Sequence, residues 1–430
     1  MTIKFKWETE FKKTEIGEIP KDWEVISISD SSFAIIMGQS PPSKYYNKEG
    51  RGMPFIQGRK DFGDLYITPT TYTEKCGKIA PPNSVLLTVR APVGDVNITK
   101  DEVCIGRGLA AIYNVNGNPT LNRFIYYVLV GLKDYIVSLG ERGTTYEEII
   151  KEDLENLLIP YPPSHEQSRI ATVLSWFDDL IENKKRQNQI LEKVAMAIFK
   201  SWFVDFEPFK DEGFVYNEEL GKEIPKGWEV KELKEIANII RGVSFNQRES
   251  SFEHFPNSVP ILRANNIKEH MIIDFSNMMF IPASKISKEK YLQEKDLVMV
   301  ASNGNPKLVG KFSIYIPHPQ FKSFSVGAFM YCIRIKKNFS YVLSVLNSEY
   351  FEHFLSGVIS GTNITNLKKS DLEEFKFPLP PQPILQRFHS LVEPLFQKII
   401  LNQKQIMILR KIRDALLPKL VFGKLRVEEI

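Results

Sequence analysis

Few residues of this chain have the types and the spacing that catalysis requires. A DNA amino-methyltransferase needs a glycine-rich cofactor loop and an Asn/Asp-Pro-Pro-aromatic tetrapeptide. The Pro-Pro pairs here follow Ser40, Ala80, Tyr161 and Leu379, and none of them precedes an aromatic residue. The sequence therefore gives no support for a methyltransferase active site in this chain.

Other catalytic patterns are equally incomplete. The phosphate-binding loop GxxxxGK[ST] is missing, because Gly310-Lys311 is followed by Phe312. Glu374-Phe-Lys376 could belong to a nuclease, but no convincing acid precedes it. The six histidines show no metal-ligand spacing. We therefore predict that the chain has no catalytic residue, no metal site and no cofactor of its own.

Length and composition indicate a folded protein of several domains. The 430 residues correspond to about two to three domains, and 43% hydrophobic with 25% charged residues exclude a disordered or fibrous chain. The net charge of +4 is too small to indicate a nucleic-acid partner by itself. The cysteines Cys76, Cys104 and Cys332 are widely separated, which favours reduced structural thiols in a cytoplasmic protein.

Membrane and export signals are not expected. The start of the sequence contains no apolar stretch of the kind found in signal peptides. The most apolar run, residues 124–132, is much shorter than the roughly 20 residues that a membrane span needs. We predict a buried helix there and no association with a membrane.

The chain contains an internal repeat. Residues 18–25, Glu-Ile-Pro-Lys-Asp-Trp-Glu-Val, recur at 223–230 with a single substitution, and further matches later in each half are 218 residues apart. The flanks of the two halves are therefore alike, whereas their middles have diverged. Drift after a gene duplication would explain the repeat without a function, but it would not explain why the flanks were spared. We favour a two-fold scaffold with two different recognition surfaces.

The diverged middles have the pattern of sheet-rich α+β domains. Short runs of β-branched and aromatic residues predict strands at 84–90, 109–113, 296–301 and 329–335. Helices are predicted at 122–139 and 342–356. The predicted organisation is a first globular domain, a first helical region, a second globular domain and a second helical region, at residues 1–160, 161–207, 208–379 and 380–430.

Each half ends in a long amphipathic helix. Ser164 and Gln167 have the spacing of a capping box, and no Gly or Pro interrupts residues 164–207, which predicts a helix of about 36 residues and about 54 Å. The second helical region repeats the apolar heptads 218 residues later. Both apolar stripes are interrupted at the same level by a polar layer, which consists of Lys184, Gln187 and Asn188 in one and Asn402 and Gln405 in the other.

We expect the two long helices to pack on each other, antiparallel if a pseudo-two-fold axis relates the halves. Each stripe could instead dock on its own domain, since neither can remain exposed. A polar layer in a helix–helix seam fixes the register at some cost in stability. The residues predicted to form this interface are Ile170, Phe177, Ile181, Leu191, Ile198 and Trp202 on the first helix, and Phe388, Leu395, Ile399, Leu409 and Leu416 on the second.

The ordered set of motifs resembles one known family. Ile-Pro-x-x-Trp-Glu-Val, the strand motif at 83–94 (Asn-Ser-Val-Leu-Leu-Thr-Val-Arg-Ala-Pro-Val-Gly) and the segment 159–170 (Ile-Pro-Tyr-Pro-Pro-Ser-His-Glu-Gln-Ser-Arg-Ile) precede a long helix. This duplicated arrangement resembles the DNA-specificity (S) subunits of type I restriction–modification enzymes over nearly the whole chain. The second copy departs from the pattern, because residues 380–387 lack Glu-Gln and the strand motif at 296–304 is looser.

The resemblance implies two target-recognition domains held apart by two antiparallel helices that form a coiled-coil spacer. Each domain would recognise one half of a split, asymmetric site in double-stranded DNA. The helices would set the unread spacer and bind two methyltransferase (M) subunits, and restriction (R) subunits would join that core. S-adenosylmethionine, ATP and Mg²⁺ would be bound by those partner subunits, and the S subunit itself would catalyse nothing.

Recognition of DNA would need polar side chains in loops. Arg, Lys, Asn and Gln contact base edges, and phosphate contacts position the protein. Each candidate could equally be a surface turn or a structural ion pair. The candidates are Gln39, Ser40, Lys44, Tyr45, Arg59, Lys60, Arg90, Arg107, Thr144 and Tyr146 in the first half, and Arg241, Arg263, Asn265, Asn266, Asn303, Asn305, Lys307, Thr362 and Asn363 in the second.

Two alternatives to this function remain open. The chain could be the recognition subunit of another split methyltransferase or nuclease system. It could also be a scaffold that binds only proteins. Binding of an M subunit without DNA selectivity would favour the scaffold, whereas selective DNA binding would favour a specificity subunit.

Overall fold

The computed structural model describes residues 3–140, 148–268, 270–359 and 365–429. The chain divides into two compact units, a first unit of residues 1–181 with 408–430 and a second unit of residues 182–407. The predicted organisation treated the two helical regions as separate segments. In the structure, one half of each long helix instead packs into the hydrophobic core of each unit.

The helices of the described residues are, in chain order, α1 (Pro119–Gly131), α2 (Lys133–Gly140), α3 (Lys151–Glu155), α4 (Ser164–Phe203), α5 (Leu233–Ile236), α6 (Phe339–Leu346), α7 (Glu349–Val358), α8 (Lys369–Glu373) and α9 (Gln382–Val421). The long helices α4 and α9 have 40 residues each, or about 60 Å at 1.5 Å per residue. The predicted helices at 122–139 and 342–356 are each two helices, and Ser348 caps the second of the latter pair.

The strands of the first half are β1 (Lys4–Trp7), β2 (Phe11–Thr14), β3 (Gly17–Pro20), β4 (Glu24–Ser27), β5 (Phe33–Met37), β6 (Tyr46–Asn47), β7 (Met53–Ile56), β8 (Tyr72–Thr73), β9 (Ile79–Ala80), β10 (Val85–Thr88), β11 (Val96–Ile98), β12 (Val103–Ile105), β13 (Leu109–Asn114) and β14 (Leu158–Tyr161).

The remaining strands are β15 (Phe214–Asn217), β16 (Lys222–Pro225), β17 (Glu229–Glu232), β18 (Ala237–Arg241), β19 (Ser258–Leu262), β20 (Met279–Pro282), β21 (Leu297–Val300), β22 (Ser302–Asn303), β23 (Phe312–Ile314), β24 (Ser325–Val326), β25 (Met330–Ile335), β26 (Thr365–Asn366), β27 (Lys376–Leu379) and β28 (Leu425–Glu429). The four strands predicted from the sequence are confirmed as β10, β13, β21 and β25.

The first unit is built on a four-stranded antiparallel sheet with the order β11-β10-β13-β5. Val85 and Leu87 on β10 face the main core, whereas Leu86 joins a smaller cluster with the second sheet, β6-β8-β7-β12-β9. Burial on both faces explains why this strand is a continuous apolar run rather than an alternating one. Within the second sheet, β7 and β12 are parallel.

The second unit repeats this arrangement. Its four-stranded antiparallel sheet has the order β23-β21-β25-β18, and its three-stranded sheet, β20-β19-β24, contains the parallel pair β19 and β24. Strands β5, β10, β11 and β13 thus correspond to β18, β21, β23 and β25. The predicted duplication and the mixed helix–sheet fold are confirmed.

The long helices contact each other within both units. In the second unit, Asn402 Nδ2 donates to Asn188 Oδ1 over 2.8 Å, and the rings of Phe203 and Phe388 lie 4.9 Å apart. In the first unit, Arg413 forms an ion pair of 2.6 Å with Asp178. Residues further along α4 contact residues that come earlier in α9, so the two helices run antiparallel. Asn188 and Asn402 are fully buried, as the predicted polar layer requires.

The residues predicted to form the helix interface differ in burial. Ile170, Ile181, Phe388 and Ile399 are buried. Partly buried residues that pack against a core are Phe177, Leu191, Ile198, Trp202, Leu395 and Leu416, and Leu409 is half-buried. Leu180, Val194 and Leu391 are exposed, because the adjacent Ile181, Ala195 and Val392 take the inward positions. Ile412 is exposed as well.

Two local expectations were wrong. Cys76 and Cys104 form a disulfide with their Cα atoms 5.7 Å apart, and the remaining cysteine, Cys332, is buried and free. Cysteine spacing does not reveal this disulfide, because it depends on strand pairing. The pairing of β9 with β12 places Cys104 opposite Ile79, which is three residues from Cys76. The capping box also fails, since the Gln167 side chain donates to Pro162 O instead.

Every helix among the described residues is too short or too polar to cross a lipid bilayer.

Candidate nucleic-acid interface

A four-residue turn, residues 106–109, lies at the centre of the first unit's candidate segments, and we name it the first central turn. Leu109 N donates to Gly106 O over 3.0 Å to close the turn. Its backbone also bonds to Ile56 O, to Gly38 N and to Val89 N, at 2.8, 2.8 and 2.9 Å. The segments that carry Ser40, Arg59 and Arg90 therefore meet at this turn, which itself carries Arg107.

The second unit has an equivalent turn, residues 327–330, the second central turn. Met330 N donates to Gly327 O over 2.9 Å, and Gly327 N donates to Leu262 O over 2.9 Å. Gly242 N and Ala301 N donate to Met330 O and Phe329 O, at 3.1 and 2.8 Å. The segments that carry Arg241, Arg263 and Asn303 meet here in the same way.

In each unit, one position must be glycine because its backbone lies very close to the backbone of the central turn. A Cβ on Gly38 would lie 2.1 Å from Gly106 O, and a Cβ on Gly242 would lie 2.0 Å from Gly327 O. Any side chain would push the preceding strand away from the central turn. The matching glycines show that both units pack the strand before this position against the central turn in the same way.

The segments around the first central turn form what we name the first surface, and this surface is rich in exposed polar side chains. Gln39, Lys44, Lys60 and Arg107 are exposed, and Ser40 Oγ accepts from Arg107 N over 3.2 Å. The Lys44 ammonium lies 5.1 Å from the centre of the half-buried Tyr45 ring, a cation–π contact. These side chains are hydrogen-bond donors and cations that solvent can reach.

Two candidates of the first unit already have anionic partners. Arg59 Nε lies 2.9 Å from Asp95, and Arg90 Nη2 lies 2.7 Å from Glu148. Both arginines remain exposed, so their solvated ion pairs are weak and a phosphate could compete for them.

The segments around the second central turn form the second surface. Fewer of its candidate side chains are exposed and available for DNA than the sequence indicated. Arg241, Asn265 and Lys307 are exposed. Asn303 Oδ1 accepts from Asn305 N over 2.8 Å, and Asn305 Oδ1 accepts from Lys307 N over 3.1 Å. These two asparagine oxygens shape a turn that presents Lys307.

Asn266 is a correction to the predicted set. It is 1% exposed, its Oδ1 accepts from Arg263 N, and its Nδ2 donates to Asp274 O and Ser276 O. Its counterpart, the buried Asp61, accepts from Gln57 N in the same turn. Asn266 therefore holds the loop together and is not available to a base.

The Arg263 side chain is partly buried and contacts both a backbone carbonyl and an aromatic ring. Its guanidinium donates to Asn277 O over 3.1 Å and lies 5.2 Å from the centre of the exposed Phe252 ring. Partial burial lowers the pKa of Arg263, but an arginine remains protonated at neutral pH. The side chain is thus a fixed positive charge at the edge of the surface.

Four sequence candidates lie outside the described residues: Thr144, Tyr146, Thr362 and Asn363. Sequence reasoning also missed Phe329, which is 63% exposed on the second central turn. Aligning Gly106-Arg-Gly-Leu109 with Gly327-Ala-Phe-Met330 would have found it. The described residues hold no cluster of three or more His, Cys, Asp or Glu side chains that could bind a metal ion.

The family model of the type I restriction modification DNA specificity domain matches residues 20–193 and 225–409. The chain belongs to this family. It is 42% identical to the MjaIX type I specificity subunit of Methanocaldococcus jannaschii, over 100% of this chain and 99% of the relative. The MjaVIII specificity subunit of the same organism is 26% identical over the same shares.

A solved structure shows the same fold. The S subunit of a type I restriction–modification system from M. genitalium matches with a TM-score of 0.51 and 20% identity, over 93% of this chain and 96% of that chain. The two family matches in one chain coincide with the duplicated sheets. This chain is thus a DNA-specificity subunit, a non-catalytic component that recognises DNA sequence.

Proposed function

We propose that each unit recognises one half of a split DNA site with the surface around its central turn. The observation that supports this is the convergence of three separate segments on one turn in both units. Polar groups from several loops must lie close together to contact a few adjacent base pairs.

The two surfaces differ in the side chains that they offer. The first central turn carries the exposed Arg107, whereas the second carries Ala328 and the exposed Phe329. Since a homodimer recognises a symmetric site, two unlike surfaces in one chain suit an asymmetric site. Exposed cations such as Lys60 and Lys307 would contact phosphates and set the register.

We further propose that α4 and α9 form the coiled-coil spacer that sets the distance between the two half-sites. Each helix is about 60 Å long, which exceeds the roughly 34 Å of one DNA turn. The antiparallel contacts inside each unit and the buried polar layer support this role. A paired helix resists bending better than a single one.

The partners follow from the proposed assembly. The chain would bind double-stranded DNA, two M subunits and, through that core, R subunits. S-adenosylmethionine, ATP and Mg²⁺ would be bound by the M and R subunits. We infer that the complex acts in the cytoplasm, because the DNA that it would methylate is there.

A domain exchange tests the half-site assignment. Residues 26–142 are replaced by the matching segment of a family member with a different target, and the methylated sites are mapped across a genome. We expect one half of the site to change and the other half to stay. Exchange of residues 231–359 is the matched control and should change the opposite half. Alteration of both halves by one exchange would contradict the proposal.

The spacer is tested by inserting one heptad into each helix, after Lys184 and after Asn402. The mapped site should keep both halves and gain unread base pairs between them, because the helices set the distance. Seven residues inserted beside the exposed Gly213 serve as control and should leave the spacing unchanged. An unchanged spacing in the helix variant would overturn the spacer role.

A further inference from the structure

Phe329 occupies a fixed and exposed position. Its carbonyl oxygen accepts from Ala301 N and Ser302 N, at 2.8 and 3.2 Å, and the turn is also bonded to Leu262 O through Gly327 N. These bonds tie the turn to two neighbouring segments. The ring is nevertheless 63% exposed. The side chain thus projects from an ordered backbone at the point where the second unit's candidate segments meet.

The equivalent position in the first unit has no side chain. Counting from the first glycine of each central turn, Phe329 corresponds to Gly108, and Ala328 corresponds to Arg107. The backbone bonds are matched, since Val89 N donates to Gly108 O over 2.9 Å and Ala301 N donates to Phe329 O. The framework therefore does not require an aromatic residue here. What differs is the chemical group that each turn presents.

The neighbours of Phe329 belong to the proposed DNA surface. Gly242, next to Arg241, bonds to the same turn, and Ser302 leads directly to Asn303. A Cβ on Gly327 would lie 3.7 Å from Arg263 Cγ, so this arginine stem runs alongside the turn. The turn that carries Phe329 therefore lies beside the segments of Arg241, Arg263 and Asn303. A phenyl ring has no donor for a phosphate oxygen, so a base is the part of DNA that it can contact.

The chemistry of the ring limits what it can recognise. A phenyl group neither donates nor accepts ordinary hydrogen bonds. In the major groove, the apolar feature that distinguishes one base pair from another is the 5-methyl group of thymine. We propose that Phe329 is a specificity-determining residue that contacts a thymine methyl group in the half-site recognised by the second unit. This inference rests on the proposed function of the two central turns.

The test uses the complex of this chain with its M subunits and DNA in which single thymines of the mapped site are replaced by uracil, which lacks the methyl group. At one thymine of the second half-site, uracil should weaken binding by the wild-type complex about fourfold, the factor expected from losing one buried methyl group. With Phe329→Ala, thymine and uracil at that position should bind equally well. At every other position the variant should respond as the wild type does.

Controls separate this effect from misfolding and from other roles. Phe329→Gly, which reproduces Gly108, should give the same result, and both variants should melt as the wild type does because the ring is exposed. Tyr216→Ala removes an aromatic ring of similar exposure, 65%, from the hairpin β15–β16 and should keep the uracil response.

Several outcomes would overturn the inference. One is a uracil response that persists in Phe329→Ala. Another is weaker binding to all sites regardless of thymine, which would indicate a wedge between bases. Loss of M-subunit binding would indicate a protein contact. These outcomes concern Phe329 alone and leave the proposed function in place. A wild-type complex without sequence-selective binding would contradict the proposed function itself.

Discussion

The two Ile-Pro-x-x-Trp-Glu-Val segments are nearly identical in sequence, yet their tryptophans have different partners. Trp23 is fully buried, and its Nε1 donates to Glu166 Oε2 over 3.1 Å. Trp228 is 7% exposed, and its Nε1 has no acceptor among the described residues. The residue that corresponds to Glu166, 218 positions later, is Ile384, which cannot accept a hydrogen bond.

A charge network surrounds the first tryptophan. Arg426 on β28 forms ion pairs with Glu166, Glu8 and Asp22, at 2.5, 2.8 and 2.9 Å. Burial alone would lower the pKa of Arg426, but its bonds to Glu166 and Asp22 raise it instead. The guanidinium therefore stays charged and binds several carboxylates at once.

The difference follows from how each unit is assembled. The first unit consists of two separate stretches of chain, 1–181 and 408–430, and β28 pairs with β1. The second unit is one stretch, 182–407, in which peptide bonds connect α4 to the hairpin β15–β16. In the first unit, the ion pairs of Arg426 help to hold the second stretch of chain against the first stretch. In the second unit, the continuous chain makes this connection. The second unit therefore does not need a carboxylate at the position that corresponds to Glu166, where Ile384 stands.

The largest effect should come from removing the centre of this network. Glu166→Ala leaves Arg426 and the Trp23 N–H without their buried acceptor, which should cost about 3 kcal/mol of the first unit's stability. Hydrogen exchange at β28 should become faster, whereas the second unit should stay protected. Glu24→Ala removes an exposed carboxylate nearby and should cost less than about 0.5 kcal/mol. Unchanged exchange at β28 would disprove the role of the network.

Matched substitutions of the two tryptophans give a smaller effect. Trp23→Phe removes a hydrogen bond to a charged acceptor and should cost about 1.5–3 kcal/mol. Trp228→Phe removes an N–H that has no acceptor among the described residues, so only packing is lost and the cost should stay below about 1 kcal/mol. Urea unfolding of both variants measures the difference. Equal losses would show that the two sites are alike after all.

The helix contact offers the smallest effect. The seam of the second unit contains the amide pair Asn188–Asn402, whereas that of the first contains the ion pair Asp178–Arg413. Asn402→Leu alone leaves Asn188 buried without this partner and should cost about 1–2 kcal/mol. The double variant with Asn188→Leu should recover that loss, because both polar groups are gone. Thermal melting checks this, and two additive losses would argue against the pairing.

Local sequence patterns predicted much of the fold. The strands β10, β13, β21 and β25 were predicted from short runs of β-branched and aromatic residues, because such runs suit buried strands. The heptads predicted both long helices and the polar layer between them. They place Leu180 and Ile181 side by side at flanking positions, and the folded unit decides that Ile181 is buried whereas Leu180 is exposed.

The candidate site was harder to predict. Composition marked Asn266 and Lys307 alike as loop residues, but only the folded backbone makes Asn266 a buried acceptor and donor. Phe329 escaped notice because an aromatic residue in a strand-like run is usually buried. The disulfide between Cys76 and Cys104 depends on strand pairing that cysteine spacing does not encode.

The sequence by itself determined that the chain is duplicated, that sheets and two long helices form, and that the two middles differ. These are properties of neighbouring residues, since periodicity and backbone preference act over a few positions. The tertiary structure decided which loops meet at each central turn and which tryptophan finds an acceptor. Those outcomes depend on hydrogen bonds between residues that are tens to hundreds of positions apart, and such partners become neighbours only when the whole unit has packed.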